Sequence, residues 1–173
     1  MKNMTGNLYF SKPLKLLLIS LLALSCFGCK PKLLPSSNVR ATRENTEIYD
    51  FLEAYKTALE KRSVDDVMQL VAMDFRDNMG SDKPELQMDY LKLKERLEKY
   101  FPRIKELRVG LFLQHIKKIE KGTYEVVFYF SESALTDLPA GEKWLSKKEV
   151  NRMVIRKTTD RNAPYPFEII KGI

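Results

Sequence analysis

Beyond residue 29 the chain has no cysteine, and over its whole length it has one histidine, His115, and one tryptophan, Trp144. The folded part therefore cannot be stapled by an internal disulfide, and a structural zinc site would lack its four ligands. The pair Cys26 and Cys29 is followed by Lys30, where haem attachment needs histidine, and no βαβ unit adjoins it for redox work. No glycine-rich phosphate loop, no Gly-x-Ser-x-Gly elbow and no Gly-Phe-Gly-Phe type RNA-stacking motif occurs. No metal and no cofactor is expected. The one long apolar run, Leu16 to Leu24, falls short of the roughly 20 residues of a membrane span.

Acidic residues are missing from the first 43 positions, which hold seven Lys and Arg. The net charge of +7 therefore sits entirely in this stretch, because residues 44–173 carry 23 bases and 23 acids. A polyanion binder needs an excess of cations to release counterions, so a nucleic-acid partner is not expected of the folded part. That part is internally polarised, with a net of −6 over 44–98 and +6 over 99–173. Two halves that pack together with complementary surfaces explain this pattern. A basic face meeting an acidic ligand or anionic lipid is the alternative. Hydrophobic residues at 44% and charged residues at 31% suit a packed core.

Lys12 and Lys15 precede the apolar run, and the small residues Ser25 and Gly28 follow it. A cationic segment, a short apolar stretch and a small-residue site form a secretory signal, here residues 1–25. The segment Ala23-Leu24-Ser25-Cys26-Phe27-Gly28-Cys29-Lys30 resembles the lipobox of bacterial lipoproteins. The resemblance implies a diacylglycerol on Cys26, with Cys29 as the alternative, and an exported protein held to a membrane of the bacterial cell envelope. Cleavage without a lipid is the competing reading, because Ala23 and Ser25 also suit a general signal peptidase. Residues 26–43, with two prolines, two serines and unopposed positive charge, are expected to form a flexible tether.

From 44 onward the hydrophobic period is first helical. Ile48, Phe51, Leu52, Tyr55 and Leu59 mark one face of a helix. Ser63 and Asp66 form a capping box for a second, short helix carrying Val64, Val67, Met68 and Val71. Asp74 to Ser81 reads as a loop anchored by Phe75. A third helix is expected from Asp82-Lys83-Pro84-Glu85, with Leu86, Tyr90, Leu93, Leu97 and Tyr100 on its apolar face and Pro102 at its end. The period then becomes two. Leu107, Val109, Leu111 and Leu113 mark one strand, and Tyr124, Val126, Phe128 and Phe130 the next, across a turn at Lys121-Gly122. A third strand has Val150, Arg152 and Val154 on one face and Asn151, Met153 and Ile155 on the other, and the chain closes with Phe167 to Ile173. Helices followed by antiparallel strands predict an α+β domain over 44–173, three N-terminal helices on a curved, mainly antiparallel sheet.

The order of elements, the opening helix Ile48 to Lys61 with Ser63-Val64-Asp65-Asp66-Val67 after it, and the closing Phe167-Glu168-Ile169-Ile170-Lys171-Gly172-Ile173 resemble the nuclear-transport-factor-2-like superfamily. Leu138-Pro139-Ala140-Gly141-Glu142-Lys143-Trp144, with Val150-Asn151-Arg152-Met153, looks like a branch of exported bacterial members without a defined function. The resemblance implies a sheet wrapped around the long helix as a cone with an apolar pocket. It includes isomerases and dehydratases, from which no catalytic position is carried over to this chain.

Five residues are candidates for the pocket. Tyr55 and Tyr90 offer hydroxyls from helical stripes, where tyrosines commonly serve as core residues with a satisfied polar tip. His115 shares the face of Leu111 and Leu113 by parity. Trp144 follows a Pro-Ala-Gly-Glu turn, where it closes the cone's mouth or covers the sheet. Arg152 stands on an apolar strand face and calls for an acidic partner from the helical half or an anionic ligand. These features predict a non-catalytic domain binding a small apolar ligand or a protein. A small cone-type enzyme and a structural domain dimerising through its open sheet face are the alternatives.

Overall fold

Thr42 starts the first helix: its hydroxyl accepts from the Asn45 amide, 3.2 Å away, and α1 runs Arg43–Lys61. All five stripe residues of this helix are buried. The computed structural model describes residues 31–78, 80, 87–139 and 141–173. The signal segment, Cys26, Cys29 and the expected third-helix start at Asp82 to Leu86 lie outside them.

The folded unit reaches back to Lys32, further than the boundary at residue 44. Leu34 is buried in the core, and its amide donates to the Val39 carbonyl at 2.9 Å. Two prolines and unopposed charge suggest a free tether, but one leucine with an apolar slot to enter is enough to fasten residues 32–42 to the domain.

Helix α1 ends at Arg62, which takes a left-handed conformation, and α2 follows at Val64–Met68. Ser63 caps α2 by accepting from the Asp66 amide at 3.1 Å. The expected reciprocal half of the box is replaced. The Ser63 amide donates to the Ala58 carbonyl at 3.2 Å, and the Asp66 carboxylate lies 3.6 Å from Lys61. The α1 terminus supplies both partners because the two helices are joined by a single tight turn.

The helical half is then interrupted. Two-residue strands β1 (Arg76–Asp77) and β2 (Met88–Asp89) pair antiparallel. Helix α3 spans Tyr90–Tyr100, capped by Asp89, whose carboxylate accepts from the Lys92 amide at 2.9 Å. Leu93 and Leu97 are buried. Pro102 lies in a 3-10 turn, Phe101–Arg103, that ends the helix as expected.

Four strands follow: β3 Ile104–Glu120, β4 Thr123–Leu138, β5 Gly141–Lys157 and β6 Phe167–Lys171. They lie in sequence order and pair antiparallel throughout. Their inner face, with Leu113, Val126, Phe128, Met153 and Ile155 buried, joins the buried stripe of α1 in one core. The α+β order read from the sequence holds, with a curved antiparallel sheet and a few helices.

Two strand readings change. The register pairs Tyr124 with Ile155 and Val126 with Met153. Directly opposed residues share a face, so Met153 and Ile155 face the core, while Val150 and Arg152 face outward. On β3, Leu113 pairs with Phe128 but His115 with Val127, leaving Gln114 as an extra residue. This bulge reverses the alternation, and His115 is exposed on the opposite face from Leu111 and Leu113.

Two polar clusters tie the helical half to the sheet. Arg156 donates to Asp74, with N–O distances of 2.9 and 3.0 Å, and to Glu168 at 2.6 Å. Glu44 accepts from the Tyr124 hydroxyl and from Lys157. The Arg156 hydrogen bonds hold Asp74 below the ordinary carboxylate range, and the Tyr124 hydrogen bond, helped by Lys157, does the same for Glu44. A lowered folded-state pKa stabilises at pH values above the unfolded pKa, and that stabilisation is lost as pH falls through the folded value. The melting temperature is therefore expected to drop as pH is lowered from about 4 towards 2. Asp74→Asn should flatten part of that drop in a calorimetric pH series. The effect is small, under about 1 kcal/mol per carboxylate, because both groups are substantially exposed and screened. An acid profile unchanged by Asp74→Asn would discount the Arg156 cluster.

Candidate functional site

The inner face of the sheet is only partly filled by α1. Towards its β3–β5 end it leaves a cavity of about 740 Å³, closed on the other side by α1 and α3. Its position follows from local contacts. The Glu60 carboxylate, on the last turn of α1, accepts from the Val109 amide on the edge strand β3 at 2.9 Å. This fastens α1 along β3 and sets Tyr55 and Leu59 into the cavity wall. Helix α3 adds Leu93 and Leu97, and its last residue, Tyr100, donates a hydrogen bond from its hydroxyl to Glu132 on β4.

The sheet register grades the wall from apolar to polar. One row across the strands reads Val109, Glu132, Lys147 and the next reads Leu111, Phe130, Glu149. A third reads Leu113, Phe128, Asn151. The β3 end of each row is aliphatic, and the β5 end is polar. Deeper in the sheet the opposed pairs Val126–Met153 and Tyr124–Ile155 of β4 and β5 are buried.

Tyr55 is the innermost polar group, 5% exposed and bordering the cavity. Burial, with Glu132 and Glu149 adding to it, pushes its pKa well above the usual tyrosine value. The hydroxyl is therefore neutral, able to donate to an acceptor or to accept from a donor. Tyr100 is raised likewise by burial and by its bond to Glu132, with Arg96 opposing. Lys147 lies 2.7 Å from Glu149, and Asp77, at the mouth, accepts from the Gly172 amide at 2.9 Å.

Of the five residues picked from the sequence, the structure brings Tyr55 and Arg152 to the cavity. Arg152 borders it beside Gly172, but its guanidinium turns to the outer face, 69% exposed and 3.5 Å from Glu125. Its acid comes from the neighbouring strand β4 rather than from the helical half, because the strand face it occupies is not the buried one. Tyr90 is half-buried against the core at the start of α3. His115 is on the outer face beyond the bulge. Trp144, on the outer face of the β4–β5 hairpin, lies under the Arg108 guanidinium, 4.4 Å from its ring centroid. It covers the sheet rather than the cavity mouth.

Sequence reading missed Tyr100, Glu132, Lys147, Glu149 and Asn151. One signal was present. Residues 147, 149, 151, 153 and 155 alternate in β5, so the apolar pair Met153 and Ile155 marks the inner face and Lys147, Glu149 and Asn151 as polar residues on it.

No known protein-family profile matches the chain, and no curated protein matches it. Solved structures do. A conserved protein from Planctomyces limnophilus aligns over 75% of this chain and 93% of its own, with a TM-score of 0.62 at 10% identity. A nuclear transport factor 2-like superfamily protein from Salmonella enterica serovar Typhimurium aligns over 76% and 90%, with 0.59 at 11%. A Streptomyces avermitilis protein, proposed to be a dehydratase of the same family, aligns over 75% and 94%, with 0.60 at 11%. At these identities the likeness is one of fold: the chain has the nuclear-transport-factor-2-like fold.

Proposed function

We propose that this is an exported, lipid-anchored protein of the bacterial envelope whose cone holds a small, largely apolar ligand without turning it over. The observation that carries the binding reading is the cavity. A space of about 740 Å³ walled by Leu59, Leu93, Leu97, Leu107 and Val109, with a few polar groups converging on one side, has the make-up of a ligand site. The export and anchor parts of the reading rest on the cationic, apolar and cysteine-bearing N-terminus. Proteins of this fold include one proposed dehydratase, and the Tyr55 hydroxyl beside two carboxylates favours an isomerase or dehydratase as the second reading. Fold alone does not decide between them.

The outer sheet face supports a homodimer as a further part of the reading. Phe112, Tyr129 and Val150 are directly opposed across three strands, forming one apolar row, each about half exposed.

Native mass spectrometry of the full chain, released from its own membranes in mild detergent, tests these parts together. The expected spectrum shows a mature chain beginning at Cys26 or Cys29 with added lipid mass, a retained small molecule and a dimer. Cleavage without lipid overturns the anchor. A retained molecule that is chemically altered on incubation overturns the non-catalytic reading in favour of the enzyme. A monomer at every concentration removes the dimer.

A further inference from the structure

We propose that one end of the domain, built from residues 32–43 and the β3–β4 turn, is a contact face for anionic phospholipid headgroups of the membrane that holds the anchor. The inference rests on the reading of Cys26 or Cys29 as the lipidated residue. It goes further by assigning which surface of the fold meets the bilayer.

The length of free chain is the first reason. A tether running from Cys26 to residue 43 would span up to about 60 Å and leave the domain free to turn. The fold begins earlier than that. Leu34 is buried, its amide donates to the Val39 carbonyl at 2.9 Å, and the Ala41 amide donates to the Lys32 carbonyl at 2.7 Å. Lys32 is three residues from Cys29 and six from Cys26, a reach of at most about 10 or 20 Å. The surface around Lys32 is therefore held close to the headgroups.

Hydrogen bonds identify that surface. The pairing of 32 with 41 leads directly into the Thr42 cap of α1. In the first turn of α1, Glu44 accepts from the Tyr124 hydroxyl and from Lys157 at 3.2 Å. Tyr124 pairs with Lys118 across β3 and β4, and the Lys118 ammonium lies 5.8 Å from its ring centroid. The Lys157 amide donates to the Gly122 carbonyl in the turn at 2.8 Å. The start of the fold, the start of α1 and the β3–β4 turn thus share one end of the domain.

That end is basic and carries exposed aliphatic side chains. It holds three bases and two acids over 32–47, three and two over 117–125, and two and one over 157–161. Counting Arg156 with its partners Asp74 and Glu168 still leaves two positive charges in excess. Glu44 and Glu47 are engaged by Lys157 and Arg43. Lys32, Arg40 and Lys121 are exposed and make no ion pair among the described residues. Leu33, 45% exposed, is bridged to Arg40, and Ile119, 53% exposed, lies between Lys118 and Lys121 in sequence. Exposed aliphatic groups beside cations on long stems suit a membrane interface. Each cation near an anionic surface contributes about fivefold in affinity.

The mature full chain is placed in nanodiscs of phosphatidylcholine, or of phosphatidylcholine with about a third replaced by phosphatidylglycerol. Both sets contain a trace of phosphatidylcholine with a photoreactive headgroup, and mass spectrometry reads the crosslinked peptides and the lipid on the chain. Residues 32–43 are expected to crosslink in both sets, because the short chain keeps them there. Crosslinks on 117–121 should rise about fivefold with phosphatidylglycerol. Arg40→Glu with Lys121→Glu should abolish that rise. Lys143→Glu with Lys148→Glu, the same charge change on the far part of β5, should keep it. The native comparison decides even where a variant does not fold. A lipidated chain whose 117–121 crosslinks are absent, or no more frequent with phosphatidylglycerol, overturns the face and leaves the anchor standing. Equal loss of the rise in both double variants also overturns the face, in favour of net charge alone. A chain without lipid that stays off the discs overturns the anchor and the face together. One without lipid that still crosslinks at 117–121 in response to phosphatidylglycerol overturns the anchor and supports the face.

Discussion

Replacing Gly172 with alanine is expected to destabilise the fold by about 3 kcal/mol or more, the sum of a strained left-handed residue and a backbone collision. Gly172 has φ +87°, a conformation that a side chain opposes. A Cβ there would stand 2.0 Å from the Arg152 carbonyl oxygen and 2.9 Å from the Met153 Cα. Those atoms belong to the paired part of β5 and cannot step aside without breaking the sheet. The Gly172 amide also holds Asp77 at the cavity mouth. Gly141 supplies the control: its φ is +106°, but no atom lies within 4 Å of a built Cβ. Gly141→Ala should therefore cost only the conformational part, about 1–2 kcal/mol. Urea denaturation of the two variants separates strain from collision. Equal midpoints would mean that β5 yields at Arg152 and that the close approach carries no cost.

The second large effect belongs to Phe51. Its ring is buried and meets Phe167 edge-on at 5.9 Å and Tyr165 at 6.2 Å, while Tyr124 meets Phe167 at 5.9 Å. This aromatic cluster joins α1 to the last strand and to β4. Phe51→Ala removes the ring's burial and leaves a space the surrounding strands cannot close, a loss of about 3–5 kcal/mol. Against a total stability of about 5–15 kcal/mol, that is a large share. Phe51→Leu keeps most of the volume and should cost about 1–1.5 kcal/mol, the loss centred on the edge-to-face contacts. If the alanine variant lost no more than the leucine one, the cluster would not be the joint between helix and sheet.

Much of the fold was legible because its elements announce themselves locally. The α1 stripe, the Ser63 cap, the alternation in β3 and β4 and the turn at Gly122 each depend on neighbours within a few residues. The cap of α3 at Asp89 was less legible, because Met88 and Asp89 are drawn into a pairing with Arg76 and Asp77, which lie more than ten residues earlier in the chain. The bulge at Gln114 was not legible, because it is a property of how β3 fits β4. One unpaired residue was enough to move His115 from the expected inner face to the outer one. Arg152 was misjudged for a related reason. Val150 and Val154 make its face look as apolar as the one carrying Met153 and Ile155, and the register with β4 decides that the second is the buried one.

The sequence by itself determined that helices precede a run of antiparallel strands, that residues 44–173 carry no net charge and that cysteine takes no part beyond residue 29. These follow from composition and short-range period, which involve no distant partner. Tertiary structure alone decided which groups meet at the cavity. Tyr55, Tyr100, Glu132 and Glu149 come from four different elements, and Glu132 and Glu149 lie near each other only because β4 and β5 pair in one particular register. A strand face becomes inner or outer, and a carboxylate becomes part of a site, through that register and through the curvature of the sheet over α1. Both are set by the packing of the whole core rather than by any one segment.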